Sequence, residues 1–493
     1  MATERADLVG QIRQIAADAR RLAVGSDLET AVDVAMERLD QPLRVAIAGR
    51  TKAGKSTLLN ALVGERLAAT DASECTRIVT WYRHALGYRV VAALRPGGTA
   101  DLRFDRHDGA LKIELGELEP GTIERIDVGW PSRKLAELTL IDTPGLGSAD
   151  EDVSARTADA LLDADADRPT EADAVIYLMR HLHRYDAQFL EAFIDRSLAH
   201  ASPINALVVL SRADEIGAAR PDALESARAV AVRYAADPRI RELASAVVPV
   251  AGLIAETATT LREGQVAWLR EVAALDEPRR TRLLQSVDRF RDPELNPLGA
   301  EIREELLDRL GLYGLRLVVD LLVEGRVRTA TDLSAALLTA SGITELKRIL
   351  NDQFATRSGA LKARSALAAL RAIADELQRR AVVGASELAA EVERVEAASE
   401  ELALLRLLHL VLAGLVEVSP DERLEIERLT GAGSPAERVG LAEGATPEAV
   451  QAAALAGIER WRLRAANPLA DRRAAEAAEI VVRAYEQVHA RAT

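Results

Sequence analysis

The chain has 493 residues, 48% apolar and 28% charged, which excludes wholesale disorder and fibrous chains and leaves room for two or three domains. A single cysteine excludes an internal disulfide and a Cys-rich zinc site, and a net charge of -14 has the wrong sign for nucleic-acid binding driven by phosphate neutralisation. Aromatics are only 3% while alanine and leucine run throughout, so a mostly helical protein with one sheet is expected.

Residues 3–39 place Leu8, Ile12, Ile15, Ala19 and Leu22, then Leu28, Val32, Met36 and Leu39, at three- and four-residue steps. That is the stripe of an amphipathic helix or a broken helix pair, ended by Pro42. The N-terminus carries Glu4, Arg5 and Asp7 and lacks the apolar core of a signal peptide, so a cytoplasmic protein is expected. Residues 44–48 form a short apolar run suited to a strand covered on both faces, and lead through a Gly-rich turn into a helix over 55–63. Further strands are expected at 77–82, 88–94, 123–128, 138–141, 174–179, 205–210 and 246–250. From residue 173 they alternate with helices, which implies a parallel sheet with helices on both faces.

After Gly252 strand signals stop and the pattern is helical throughout, punctuated by prolines and glycines. The early and late helices have apolar stripes that need partners, so they are expected to pair with one another. Residues 402–418 are the longest apolar stretch, but Arg406, His409 and Glu417 interrupt it, and a bilayer needs about 20 apolar residues. A buried helix is expected there, and membrane contact, where made, is peripheral. The fold class is therefore α/β, a mostly parallel sheet with a helical bundle built from both chain ends.

Gly49-Arg50-Thr51-Lys52-Ala53-Gly54-Lys55-Ser56-Thr57 fits G-x-x-x-x-G-K-[ST] between a strand and a helix. Gly49 and Gly54 let the backbone wrap phosphates with its N–H groups inward, and the helix N-terminus, from Lys55 to Thr57, adds positive potential. Lys55 is expected to reach the β- and γ-phosphates of a nucleotide, and Ser56 to ligate Mg²⁺. Asp142, in Asp142-Thr143-Pro144-Gly145 after an apolar run, lies at the carboxyl end of a strand, where it can hold Mg²⁺ through water while the Gly145 N–H meets the γ-phosphate. Between these motifs Thr76, preferred over Thr70 and Thr80, completes the metal shell as a switch. Its neighbour Cys75 fills space.

Ser211-Arg212-Ala213-Asp214 follows a strand about 70 residues after Asp142, where [NT]-K-x-D selects guanine. Asp214 can accept from the N1–H and the 2-amino group, while Ser211 and Arg212 depart from the common residues. Ala251 and Gly252, after the last strand, are expected to line the base through backbone amides. His181 and His183 are expected to be surface histidines, and Arg460-Trp461-Arg462-Leu463-Arg464 a solvated face with a packed tryptophan rather than a lipid contact. Arg379 and Arg380 beside Val382 and Val383 make either a solvent turn or a tip able to touch an anionic bilayer.

The run from Ala48 to Leu62, followed by Trp130-Pro131 ahead of Asp142 to Leu146, resembles bacterial dynamin-like GTPases. Ser211 to Gly217, Leu310 to Arg316 and Ser341 to Lys347 are similar to the actinobacterial isoniazid-inducible (Ini) members, nearest the shorter of that pair. The resemblance implies a P-loop GTPase head of residues 42–353 and a helical neck from residues 1–41 and 354–493. It further implies GTP-dependent assembly as a head-to-head homodimer or with a longer paralogue, and membrane remodelling at the inner face of the plasma membrane. Two departures stand out: only about 140 residues follow the head, short for a trunk with a lipid-binding tip, and Leu146 replaces the Gln that Ras-type switches use to orient water. A nucleotide-gated scaffold for the paralogue is the alternative. Lys52 is expected either to supply a tethered ammonium beside the phosphates, where similar GTPases bind a monovalent cation, or to point to solvent or across a head dimer.

Overall fold

The computed structural model describes residues 2–68, 78–95, 97–107, 110–144, 172–180, 203–468 and 471–492. After Pro42 the apolar run forms β1 (Leu43–Gly49), all seven residues buried. The further strands are β2 (Thr80–His84), β3 (Arg89–Leu94), β4 (Thr99–Asp101), β5 (Arg103–His107), β6 (Ala110–Glu114), β7 (Ile123–Trp130), β8 (Leu138–Asp142), β9 (Ala174–Met179), β10 (Ala206–Ser211) and β11 (Val247–Val250). Nine of them make one sheet in the order β11-β10-β9-β1-β8-β2-β7-β3-β4. From β11 to β8 neighbours run parallel, and the β9 and β10 side chains, like those of β1, are wholly buried, as continuous apolar runs require. The register pairs Ile47 with Asp142, Gly49 with Leu178 and Ser211 with Val250, which brings the carboxyl ends of these strands to one edge.

Two expectations shift. The strand anticipated at 77–82 runs from Thr80 to His84, antiparallel to β8 with Thr80 opposite Asp142. The hairpin of β5 and β6 was not expected, because its segment mixes charge with few apolar residues. From it Leu111 is buried in the core, with Phe104 and Ile113 packed against it.

The helical part is built from both chain ends, as its apolar stripes require. Helices α1 (Ala2–Ala23) and α2 (Asp27–Asp40), broken at Gly25, share one core with the later helices. The phosphate-loop helix is α3 (Lys55–Val63), and α4 (Gly252–Thr260) follows β11. The long α5 (Ala300–Val323) and α6 (Ala330–Ala340) pack on α4, and α7 (Ile343–Leu350) packs on β11. A π-helical turn, Asn351–Ala355, then leads into α8 (Ser358–Arg379), which packs on α1, α2 and α9 (Ala385–Ala398). The bundle closes with α10 (Glu400–Leu412), α11 (Pro420–Thr430), α12 (Pro447–Ala465) and α13 (Arg472–Arg491).

The apolar stretch from residue 402 is a buried helix, α10, and among the described residues no helix is long and apolar enough to cross a membrane. Trp461 is 1% exposed and donates to Glu425 at 3.0 Å, with Arg460 and Tyr485 bonding the same carboxylate. The arginines around it are paired on the surface, Arg462 with Glu486 and Arg464 with Glu422. At the turn after α8, Val383 is exposed, and the part-exposed Arg380 bridges Asp27 and Glu376 while Arg379 also reaches Glu376.

Bundle and sheet meet at Arg38. Its guanidinium donates to Asp173 Oδ1 at 2.8 Å, both side chains buried, and Asp173 Oδ2 accepts the Arg44 N–H at 2.9 Å. Lys362 on α8 ties down the same corner through the carbonyls of Leu39 and Gln41 at 2.8 and 3.0 Å. Removing one partner of a buried pair strands the other charge, so Arg38→Met is expected to cost about 3 kcal/mol of stability. Guanidinium denaturation measures this, and a loss below about 1 kcal/mol would show that the pair is dispensable.

Candidate functional site

The site begins where β1 ends. Gly49 has φ 147, and a Cβ there would lie 2.5 Å from the Leu178 carbonyl oxygen, so only glycine lets the loop leave the sheet this close to β9. Gly54, at φ 91, turns the chain into α3. Lys52 also has positive φ, 62, and its side chain is exposed. Lys55 folds back over the loop, its ammonium donating to the Gly49 and Arg50 carbonyls at 3.3 and 3.4 Å. That position leaves the ammonium at the centre of the loop, where a phosphate would sit.

Ser56 on the first turn of α3 donates to Asp142 Oδ2 at 2.9 Å, which joins two of the residues expected at the metal. Asp142 Oδ1 is buried and has no hydrogen-bond partner among the described residues. A hydroxyl and a carboxylate with an unsatisfied oxygen are the hard donors that Mg²⁺ prefers, so the residues present fit that ion. Burial raises the Asp142 pKa and lowers that of Lys55, each partly offset by the opposite charge of the other. Beside them Thr143 is buried and bonds the Ile47 carbonyl at 3.0 Å, fixing β8 to β1 at the level of Asp142. Thr80 lies in β2 with its hydroxyl on the Ile78 carbonyl at 3.3 Å. Thr76, Thr70, Cys75, Gly145, Leu146, His181 and His183 lie outside the described residues.

Along the same edge a cavity of about 150 Å³ opens, lined by Gly54, Thr57, Ser211, Asp214, Val250 and Gly252 among others. Arg212, at φ 52, turns the chain after β10, so that Asp214 sits 7% exposed against the cavity. Burial pushes its pKa up to about 6. The Ser211 hydroxyl donates to the Met179 carbonyl at 3.2 Å, and Arg212 pairs with Glu215 at 2.8 Å, so both brace the loop. Gly252 faces Thr57, with 3.6 Å between its ideal Cβ and the threonine methyl. Ala251 departs from expectation: its amide donates to the Ser341 carbonyl at 2.9 Å and is turned away from the cavity.

One cluster escaped the motif reading. Asn60, wholly buried on α3, accepts the Leu67 and Ala68 amides at 2.9 and 2.7 Å and donates to the Ala68 carbonyl and Glu256 at 3.1 and 3.3 Å. Glu256 on α4 also receives Arg66 at 2.9 Å. All four valences of the amide are used, and α3, α4 and the chain at Leu67 and Ala68 are locked together. An asparagine in a helix carries no spacing that announces such a role.

The sequence profile of the family described as 50S ribosome-binding GTPase matches residues 44–211. Isoniazid-induced protein IniC of Mycobacterium tuberculosis is 39% identical over 453 residues, covering 91% of this chain and 90% of that protein. Isoniazid-induced protein IniA of the same organism is 34% identical over 148 residues, 28% of this chain and 23% of that protein. A bacterial dynamin-like protein of Nostoc punctiforme is 27% identical over 143 residues, 26% of this chain and 20% of that protein. The likeness to IniC takes in the phosphate loop, the sheet and the helices of the bundle alike, and the chain therefore belongs to the isoniazid-induced Ini family of bacterial dynamin-like GTPases.

Proposed function

We propose that the chain binds GTP with Mg²⁺ and hydrolyses it, through a head of residues 42–353 carried on a neck of residues 1–41 and 354–493. The observation that carries this reading is the Ser56–Asp142 bond at the mouth of the phosphate loop, on the same sheet edge as Asp214. In this reading the loop from Gly49 to Gly54 and the helix start at Thr57 hold the phosphates, and Lys55 meets the β- and γ-oxygens. Ser56 and Asp142, with Thr76, would hold Mg²⁺, which when bound offsets the charge of the phosphates under transfer. The Gly145 amide meets the γ-phosphate. Asp214 accepts two hydrogen bonds from guanine, braced by Ser211 and Arg212, above a floor made by Gly252. Leu146 cannot orient water, which favours a second head, of this chain or of the longer paralogue, as the source of that help. The family likeness supports coupling of this assembly to remodelling of a membrane from its cytoplasmic side.

Phosphate release from GTP tests the reading. Lys55→Ala or Ser56→Asn is expected to lower the rate about 10- to 100-fold or more, since each removes a charge-assisted contact of about 1.5 to 3 kcal/mol or the metal ligand. Undiminished turnover in both variants would place the site elsewhere. Turnover per protein should rise with its own concentration; a rise only on adding paralogue would favour the scaffold reading instead.

The raised pKa of Asp214 sets a pH dependence for guanine binding. Above about 6 the carboxylate is ionised and can accept both guanine donors; below it, binding must expel a proton, so affinity falls up to tenfold per pH unit as pH drops. Titrating GDP from pH 8 to 5 should give a flat limb and then this decline, and Asp214→Asn should lack the decline.

Lys52, exposed beside the loop, is proposed to offset phosphate charge from within the chain. Hydrolysis should then be indifferent to exchanging sodium for potassium at fixed ionic strength, and Lys52→Asn should be slower and potassium-dependent. Strong potassium stimulation of the unaltered protein would refute this role.

A further inference from the structure

The run Ser341 to Lys347 has no part in phosphate chemistry, yet it lies directly behind the floor of the base cavity. Helix α6 ends at Ser341, and Gly342, at φ 80, turns the chain into α7. A Cβ on Gly342 would stand 2.2 Å from the Pro249 carbonyl oxygen and 3.8 Å from the Val250 Cα. Those are backbone atoms of β11, which cannot yield as a side-chain tip can. The preceding carbonyl, that of Ser341, accepts the Ala251 amide at 2.9 Å. Ser341 is itself held, 1% exposed with its hydroxyl on the Leu338 carbonyl at 2.9 Å. Two consecutive residues therefore grip Pro249 to Ala251 from behind, while Gly252 meets Thr57 of the phosphate loop in front. The segment that delivers Val250 and Gly252 to the cavity lies between α3 and this turn, and on the side of the turn there is no room for a side-chain atom at residue 342.

We infer that Ser341 and Gly342 are positioning residues for the nucleotide base: they fix the floor at Val250 to Gly252 relative to Asp214, which follows the neighbouring strand β10, and thereby set the preference for guanine. The inference rests on the reading of Asp214 as the acceptor for the base. A carboxylate that takes two hydrogen bonds from one base edge depends on where the base lies, because such bonds weaken steeply with misalignment. A methyl group at residue 342 forces β11 and the turn apart, and whatever share of that movement β11 takes displaces the floor relative to Asp214.

The test compares GDP with inosine diphosphate, which lacks the 2-amino group, by direct titration of the unaltered protein, Gly342→Ala and Asp214→Asn. The unaltered protein should prefer GDP about tenfold or more, the worth of one charge-assisted hydrogen bond. Gly342→Ala should weaken GDP about tenfold and inosine diphosphate much less, so that the preference falls toward unity. A structural role alone would weaken both nucleotides equally and leave the ratio intact, and that result, or an unchanged affinity for both, would overturn the inference. Should Gly342→Ala fail to fold, Ala251→Pro removes the amide that Ser341 accepts and must reduce the same ratio. If Asp214→Asn keeps the GDP preference, the base-reading assignment itself is wrong. If Asp214→Asn abolishes it while Gly342→Ala does not, only the positioning role falls.

Discussion

A carboxylate buried without full satisfaction organises this protein. Asp142 ends β8 next to β1, its one oxygen bonded by Ser56 and the other unpaired among the described residues, with the Lys55 ammonium near enough to oppose its burial cost. Such a group is costly unless something cationic completes it, which is why nearly every nearby choice serves its placement. The register that sets Ile47 beside Asp142 admits no slip, since one residue either way would turn the carboxylate to the opposite face. Gly49 brings the loop to the sheet, Thr143 pins β8 to β1, and α3 starts where its first turn can reach both.

Around that centre the fold is closed by contacts between distant parts of the sequence. The bundle core draws Ile12 and Ile15 from one end of the chain and Val481 and Val488 from the other, with Leu367 and Leu370 between them. Arg38 and Lys362 then fasten this bundle to the sheet at one corner, so neither body moves without straining a buried ion pair or the carbonyls of Leu39 and Gln41. Contacts of this sequence separation carry a high loop-closure cost, which slows folding.

Much of the sheet was legible in the sequence because its strands are buried on both faces and so carry unbroken apolar runs. The boundaries of α3 and β9 agree with the residues that pattern and motif picked out. The hairpin at Arg103–Glu114 was not legible, since half-exposed strands with charged residues have no such run. Nor was the fate of the Ala251 amide, because its acceptor lies some ninety residues onward, in a run whose family likeness does not say which backbone group it meets. The Asn60 cluster and the Arg38–Asp173 pair belong to the same class: polar residues whose burial, and so whose role, is decided by folding rather than by spacing.

The π-helical turn at Asn351–Ala355 fixes an angle as well as a connection. Each residue of an α-helix advances the side-chain direction by about 100°, and a π-turn holds one residue more than the α-turn it replaces. The extra residue therefore sets the rotational phase between α7, which faces β11 and α3, and α8, which faces α1 and α2. With that residue deleted, Leu367, Leu370 and Leu377 would swing a quarter-turn out of the seam they share with the N-terminal helices. A head and a bundle taken from two relatives would fit together only if both count residues through this turn in the same way.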